Sequence, residues 1–308
     1  MTDAEVNVLY IGGLGRSGST LVDRVLGQTP GVCSVGELVF LWDRALSANE
    51  LCGCGERFSE CPFWKEVGDR AFEGWDKVDP KALRARQLRV DRNRYVPAML
   101  APWLAPGYRK RLAPYAEAVS RLYKAIGEVA GADLIVDSSK HASTAALLRH
   151  IPGVRARIVQ IFRDPHGVAW SWSKTVERPD ATEGVSLMAR VGPARIAARW
   201  QGYNALLALI RSRGGALRYE TFTERPEEET RRLLALGGLE PGELPQFIGP
   251  RTVRLDVDHT VAGNPLRFRT GDVEIRADEE WRRSMSRWRR MLVGILSFPS
   301  TLIYRYAS

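Results

Sequence analysis

Lysine, histidine and cysteine are all scarce in this chain of 308 residues, and long apolar runs are missing. Four cysteines are too few for a disulfide scaffold, which points to a reducing, cytoplasmic setting. The four histidines, at 141, 150, 166 and 259, are scattered and form no pair at metal-ligand spacing. The longest apolar stretch, MLVGILSFPSTLIY (291–304), is too short to span a bilayer and is broken by Pro299. At the start, MTDAEVNVLYIGGLG sets two acids before a short apolar run, so no secretory leader is expected. Internal repeats are lacking. No stretch interleaves arginine with aromatics at a regular spacing, which argues against nucleic acid as a partner. Hydrophobic residues at 44% and charged residues at 26% exclude a disordered or multi-span membrane protein.

Charge is plentiful, and of one kind. Basic residues number 45 against 36 acidic ones, a net charge of +9, yet only 7 are lysine and 38 are arginine. With abundant alanine and glycine, this has two readings. One is the codon bias of a GC-rich, bacterial genome; the other is a site for an anionic ligand.

Along the chain, VNVLYIG (6–12) is a β-branched apolar run that reads as a buried parallel strand. A glycine-serine loop and a helically spaced segment, LVDRVLG, follow it and open an α/β unit. VCSV (32–35), LIVD (134–137), RIVQIFR (157–163) and ALRY (216–219) are further strand candidates, with helices expected from Ser143, Pro165 and Pro226. Residues 38–130 show no convincing strand and read as helical pieces broken by Pro97, Pro102, Pro106 and Pro114, a helical insertion on the acceptor side of one domain covering 1–308. ERPDATEG (177–184) is the expected mobile loop. The apolar C-terminal stretch is expected to form a helix packed on the core or a basic helix touching a membrane.

Gly13 to Thr20 reads GLGRSGST. The frame is that of a phosphate loop, G-x-x-x-x-G-K-[ST], with Ser19 where the lysine belongs and a cation moved to Arg16. Glycines let backbone N–H groups converge on an anion at a helix N-terminus, but the clamp on a nucleoside triphosphate is gone. The sequence strand–GRSGST–helix resembles the 5′-phosphosulfate loop of sulfotransferases that use 3′-phosphoadenosine 5′-phosphosulfate (PAPS). Further motifs extend the resemblance. Arg163 ends a strand and Ser171 follows eight residues later, the family spacing for the 3′-phosphate site. Arginine supplies a planar fork and serine a further donor. Tyr219 in ALRYETF resembles the strand-end tyrosine near the adenine, or is a buried strand tyrosine. HTVAGNPLRFRTGD (259–272) resembles the late loop over the 3′-phosphate, with Arg267 and Arg269 as phosphate ligands.

The resemblance implies an α/β chain with a P-loop-containing nucleoside triphosphate hydrolase-like three-layer α/β/α fold, and a mostly parallel central sheet. It implies PAPS as co-substrate and no catalytic metal. Arg16, Ser17, Gly18, Ser19 and Thr20 would hold the 5′-phosphosulfate. Lys140, at a strand end, is the second catalytic cation or a solvated surface lysine. Glu37, 21 residues past Arg16, matches the general base of tyrosylprotein-type and several bacterial members, or is a glutamate at a helix start. His141 is the second choice for that role. LCGCGERFSECPFW carries Cys52, Cys54 and Cys61, read as a structural loop or local disulfide, with metal binding and redox control as alternatives. The expected activity is sulfuryl transfer to a small-molecule or lipid hydroxyl. A P-loop phosphotransferase, with Asp137 as its acid, and a non-catalytic nucleotide-binding protein are the alternatives.

Overall fold

The apolar run at the N-terminus becomes the middle of a sheet. In the computed structural model, which describes residues 5–175, 177–178, 186–187, 190–240 and 242–306, Val6–Gly12 (β1) lies between two other strands. It is followed by Ser19–Leu26 (α1) and Val32–Gly36 (β2). A 3-10 turn (Leu38–Phe40) and a π-helical segment (Leu41–Ser47) lead into the insertion. Its helices are Pro62–Phe72 (α2), Pro80–Val90 (α3), Val96–Leu100 (α4) and Pro106–Ala130 (α5). Leu134–Lys140 (β3), Ala142–Leu148 (α6), Val154–Phe162 (β4) and Pro165–Ser173 (α7) resume the sheet. Glu177–Arg178 (β5) pairs with Ser186–Leu187 (β6); the rest of the expected mobile loop, 179–184, lies outside the described residues. Pro193–Ile210 (α8), Ala216–Arg218 (β7), Tyr219–Glu224 (α9) and Pro226–Gly237 (α10) follow.

The sheet order is β2-β3-β1-β4-β7, every pair parallel. Alternate residues of each strand face opposite sides. Val8, Tyr10, Val35, Ile135 and Ile158 enter a core shared with the insertion helices and α6. Leu9, Ile11, Leu134, Val136, Val159 and Ile161 enter a second core with α1 and α10. Helices thus cover both faces, as a parallel sheet requires, and the three-layer α/β/α expectation holds.

Two local outcomes differ from the sequence reading, and a third refines it. Pro62, Pro80, Pro97 and Pro106 begin helices, where a missing N–H costs nothing, but Pro114 does not break α5. Pro114 faces solvent while Tyr115, Val119, Leu122, Tyr123 and Ile126 bury the opposite stripe, which offsets the lost hydrogen bond. Phe247–Gly249 (β8), Thr252–Leu255 (β9) and Gly271–Glu274 (β10) form a small antiparallel sheet that the sequence reading lacks. Finally, Trp281–Ser284 (α11), Arg287–Ser297 (α12) and Ser300–Ile303 (α13) make the C-terminal end. Only one side of α12 is buried, through Val293 and Ser297, while Trp288, Met291, Ile295, Phe298, Leu302 and Ile303 are each more than half exposed. Among the described residues, no helix is long and apolar enough to cross a membrane.

Candidate active site

Parallel strands deliver their C-terminal ends to one edge, where α/β sheets bind ligands. Here each of the five ends brings a residue singled out by sequence. In sheet order these are Glu37 after β2, Lys140 at the end of β3, the loop 13–18 after β1, Arg163 after β4 and Tyr219 after β7. At about 4.8 Å per strand the row spans roughly 19 Å.

The loop after β1 is shaped by left-handed residues, Arg16 at φ 73° and Gly18 at φ 92°. A side chain at Gly18 would also collide with the Tyr219 ring, which lies 2.2 Å from where its Cβ would sit. Left-handed turns of this kind point successive N–H groups into one concavity. Ser17 and Ser19 are 1% and 2% exposed, and their hydroxyl oxygens have no hydrogen-bond partner among the described residues. Buried hydroxyls are normally satisfied, so these two fit an anion seated at the start of α1. Thr20, in the same first turn, is also buried. Arg16 stands over the Trp172 ring at 5.9 Å, and the Trp172 indole donates to the Gly15 carbonyl at 2.8 Å. Burial pushes the Arg16 guanidinium below its ordinary pKa. Trp172 carried no sequence signal for this role.

On the neighbouring strand end, Arg163 is buried and donates to the carbonyls of Arg16 at 3.3 Å and Asp278 at 2.7 Å. Its guanidinium lies 5.1 Å over the Tyr219 ring. The Tyr219 hydroxyl donates to the Arg276 carbonyl at 3.2 Å. Ser171 is half-buried on α7, which Asp164 caps by accepting from the His166 amide at 2.8 Å. The structure thus joins the loop, Arg163 and Tyr219 into one patch.

Glu37 and Lys140 meet on the other side of the loop. Lys140 Nζ donates to Glu37 Oε1, with both side chains largely buried. Lys140 is held at φ 71°, a costly conformation for lysine, and its carbonyl accepts from the Gly13 amide at 3.0 Å. The Glu37 amide donates to the Val261 carbonyl at 2.7 Å. His141 follows Lys140; burial pushes its imidazole below the ordinary range, against the nearby carboxylates of Asp91 and Glu37. Asp137, the candidate acid of a phosphotransferase, is turned inward. It accepts from the Ser139 amide at 2.8 Å and from the Tyr123 hydroxyl at 2.5 Å.

The late loop is placed differently from the expectation. Residues 259–267 run beside Glu37 at the end of β2, where Val261 bridges Gly36. Since β2 and β4 are three places apart in the sheet, this is about 14 Å from the Arg163 side. Arg267 is 1% exposed and donates to the Thr260 carbonyl at 2.7 Å and the Leu51 carbonyl at 2.6 Å, so its fork ties loops together. Arg269 is exposed, and its carbonyl accepts from Arg24 at 2.6 Å. Residues 276–278 are the late segment that meets Arg163 and Tyr219. Arg24, fully buried and ion-paired with Asp258, anchors the loop to α1; as a lone helix arginine it had no sequence signal.

A model of the sulfotransferase family matches residues 9–242, three-quarters of the chain. Among solved structures, the sulfotransferase domain from the Synechococcus PCC 7002 olefin synthase is 18% identical over 96% of both chains, with a TM-score of 0.44. The sulfotransferase domain from the curacin biosynthetic pathway is 16% identical over 96% of this chain and 98% of that one, with a TM-score of 0.48. Sulfotransferase STF1 from Mycobacterium tuberculosis H37Rv is 17% identical over 77% of this chain and 68% of that one, with a TM-score of 0.41. No curated protein matches the chain.

Proposed function

The chain belongs to the sulfotransferase family, and on that premise we propose that it moves a sulfuryl group from PAPS to a hydroxyl of a small-molecule acceptor, phenols and lipid-borne hydroxyls included. The observation that supports this donor is the pair of buried hydroxyls of Ser17 and Ser19, without a partner among the described residues, beside Arg163 on the adjacent strand end. Two anion-binding positions side by side suit a nucleotide with phosphates at both ends of its ribose. Ser17, Gly18, Ser19 and Thr20 would hold the 5′-phosphosulfate, Arg163 and Ser171 the 3′-phosphate, and Tyr219 the base. The acceptor oxygen forms a bond to sulfur as the bridge S–O bond to the 5′-phosphate breaks, releasing 3′,5′-ADP. Glu37 takes the acceptor proton, while Arg16 and Lys140 stabilise charge on the sulfuryl and bridge oxygens. The Glu37–Lys140 ion pair supports this division, since it sets base and cation next to each other at the loop.

The phosphotransferase alternative is disfavoured by Ser19 in the lysine position and by the inward-facing Asp137. Glu37 leads directly into residues 38–130, which supports the insertion as the acceptor wall of a single domain. The exposed apolar face of α12 and α13, rimmed by exposed Arg282, Arg283, Arg287, Arg289 and Arg305, supports contact with an anionic lipid surface. Four free cysteines suit a reducing cytoplasm.

Thermal-shift titrations with 3′,5′-ADP, 5′-ADP and ATP test the donor assignment. The expected order places 3′,5′-ADP first, and Arg163→Ala weakens it by about 2–4 kcal/mol while changing 5′-ADP little. Tightest binding of ATP, or PAPS turnover that stops when Mg²⁺ is omitted, would overturn it.

A further inference from the structure

Cys52, Cys54 and Cys61 come from one stretch, and the fold brings His259 to them from 198 residues beyond Cys61. The four ligand atoms lie within 4.8 Å of one another. His259 Nδ1 is 3.3 Å from the Cys61 sulfur and 3.8 Å from the Cys52 sulfur, and the Cys54 and Cys61 sulfurs are 3.8 Å apart. We propose that Cys52, Cys54, Cys61 and His259 bind a structural zinc ion that staples the start of the insertion to the late loop beside Glu37.

The distances fit a tetrahedral centre. Bonds of about 2.3 Å to sulfur and 2.0–2.1 Å to nitrogen place sulfurs about 3.8 Å apart and sulfur and nitrogen about 3.6 Å apart. Three thiols and one imidazole are a soft donor set that selects zinc over magnesium or calcium. Four protein ligands leave no open position, which marks a structural rather than a catalytic ion.

The surrounding protein holds the ligands in place. Cys52 and Cys61 are 1% and 0% exposed. The Cys52 amide donates to the Glu56 carbonyl at 2.8 Å, and the Cys52 carbonyl accepts from the Gly55 amide at 2.9 Å, which closes the turn between Cys52 and Cys54. Gly53 allows the close approach of the late loop: a Cβ there would meet the Asp258 carbonyl oxygen at 2.9 Å. The same residue donates from its amide to the Thr260 carbonyl at 3.0 Å. The His259 ring stacks on Phe63 at 4.9 Å with a 9° tilt, and its carbonyl accepts from the Trp64 indole at 2.8 Å. A disulfide would use two of the sulfurs and leave the imidazole and the third sulfur without a purpose.

Two residues past His259, Val261 accepts from the Glu37 amide. The ion would therefore position the candidate base through the loop without touching a substrate, and the assignment stands whether or not the sulfotransfer roles hold.

Metal analysis of the full-length protein, purified without chelator, is expected to find about one zinc per chain. Cobalt exchanged into the site should give the intense visible bands of tetrahedral cobalt and thiolate-to-metal charge transfer in the near ultraviolet. His259→Ala should lose more than nine-tenths of the zinc, and His259→Cys should keep it. Chelation should lower the melting temperature by several degrees, and zinc should restore it. Folded wild-type protein from zinc-replete cells that carries no zinc, or that shows two of its four thiols missing under denaturing, non-reducing conditions, would overturn the proposal. Full zinc content in His259→Ala would do the same. The wild-type measurements decide even if a variant fails to fold.

Discussion

Two carboxylates near Lys140 carry opposite expectations. Glu37 is buried against Lys140 at the end of β2, and Glu37→Gln keeps its shape while removing the proton acceptor. Turnover should fall by about 10²–10⁴, with 3′,5′-ADP affinity unchanged. The loss should shrink for nitrophenol acceptors, which are already partly ionised; a uniform loss across acceptors would mark Glu37 as a partner of Lys140 only. Asp137 is a different case. Burial pushes its carboxyl up to about 6, against hydrogen bonds from Ser139 and Tyr123 that lower it. A carboxyl raised on folding costs nothing below its unfolded pKa near 3.9, and a growing amount from there to about 6. Relative to Asp137→Asn, the wild type should therefore lose up to roughly 3 kcal/mol of stability between pH 4 and pH 7. Urea unfolding across that range measures it, and a flat difference would show that Tyr123 and Ser139 fully offset the buried charge.

Among the elements, α12 makes the plainest commitment. Its Trp288, Met291 and Ile295 are exposed, and on the proposed lipid contact the nearby arginines would each add about 1 kcal/mol toward an anionic surface. Co-sedimentation with phosphatidylserine vesicles should exceed that with phosphatidylcholine, weaken in salt, and drop sharply for Ile295→Asp; equal binding to both lipids would reject the electrostatic part. The elements that were legible in the sequence are those whose signal is local. GRSGST follows a strand and opens a helix, and Arg163 and Ser171 lie on one strand–helix junction. What was not legible depends on neighbours in space. The resemblance puts HTVAGNPLRFRTGD on the Arg163 side, but chain order says nothing of sheet order, and β2 stands three places from β4. His259 carries no ligand signal until the fold sets it against Cys61. The strands β8 to β10, of three or four residues each, are too short to show alternation.

At the scale of the whole molecule, long-range ties converge on the late loop. Arg24 pairs with Asp258, Arg267 reaches Leu51, and Trp64 holds His259. These join α1, the insertion and the loop around Glu37 across 195 to 234 residues of chain, so the proposed acceptor side of the edge is assembled from distant segments. The proposed donor side is tied over long range too, Arg163 to Arg16 and Asp278 and Trp172 to Gly15, but through contacts that do not involve residues 38–130. Substitutions in the insertion should accordingly disturb turnover before they disturb nucleotide binding.

The sheet order has a kinetic consequence. β1 and β2 are both complete by residue 36, yet they are not neighbours, because β3 lies between them. At synthesis rates of about 5–20 residues per second, β1 leaves the ribosome roughly 6–24 s before β3 begins. During that interval VNVLYIG has neither of its partners, and the apolar strand waits for a nucleus that only β3 and β4 can supply. A nascent chain halted before Leu134 should be the aggregation-prone and chaperone-bound form of this protein, and one extended past Phe162 the first able to give β1 both of its neighbours.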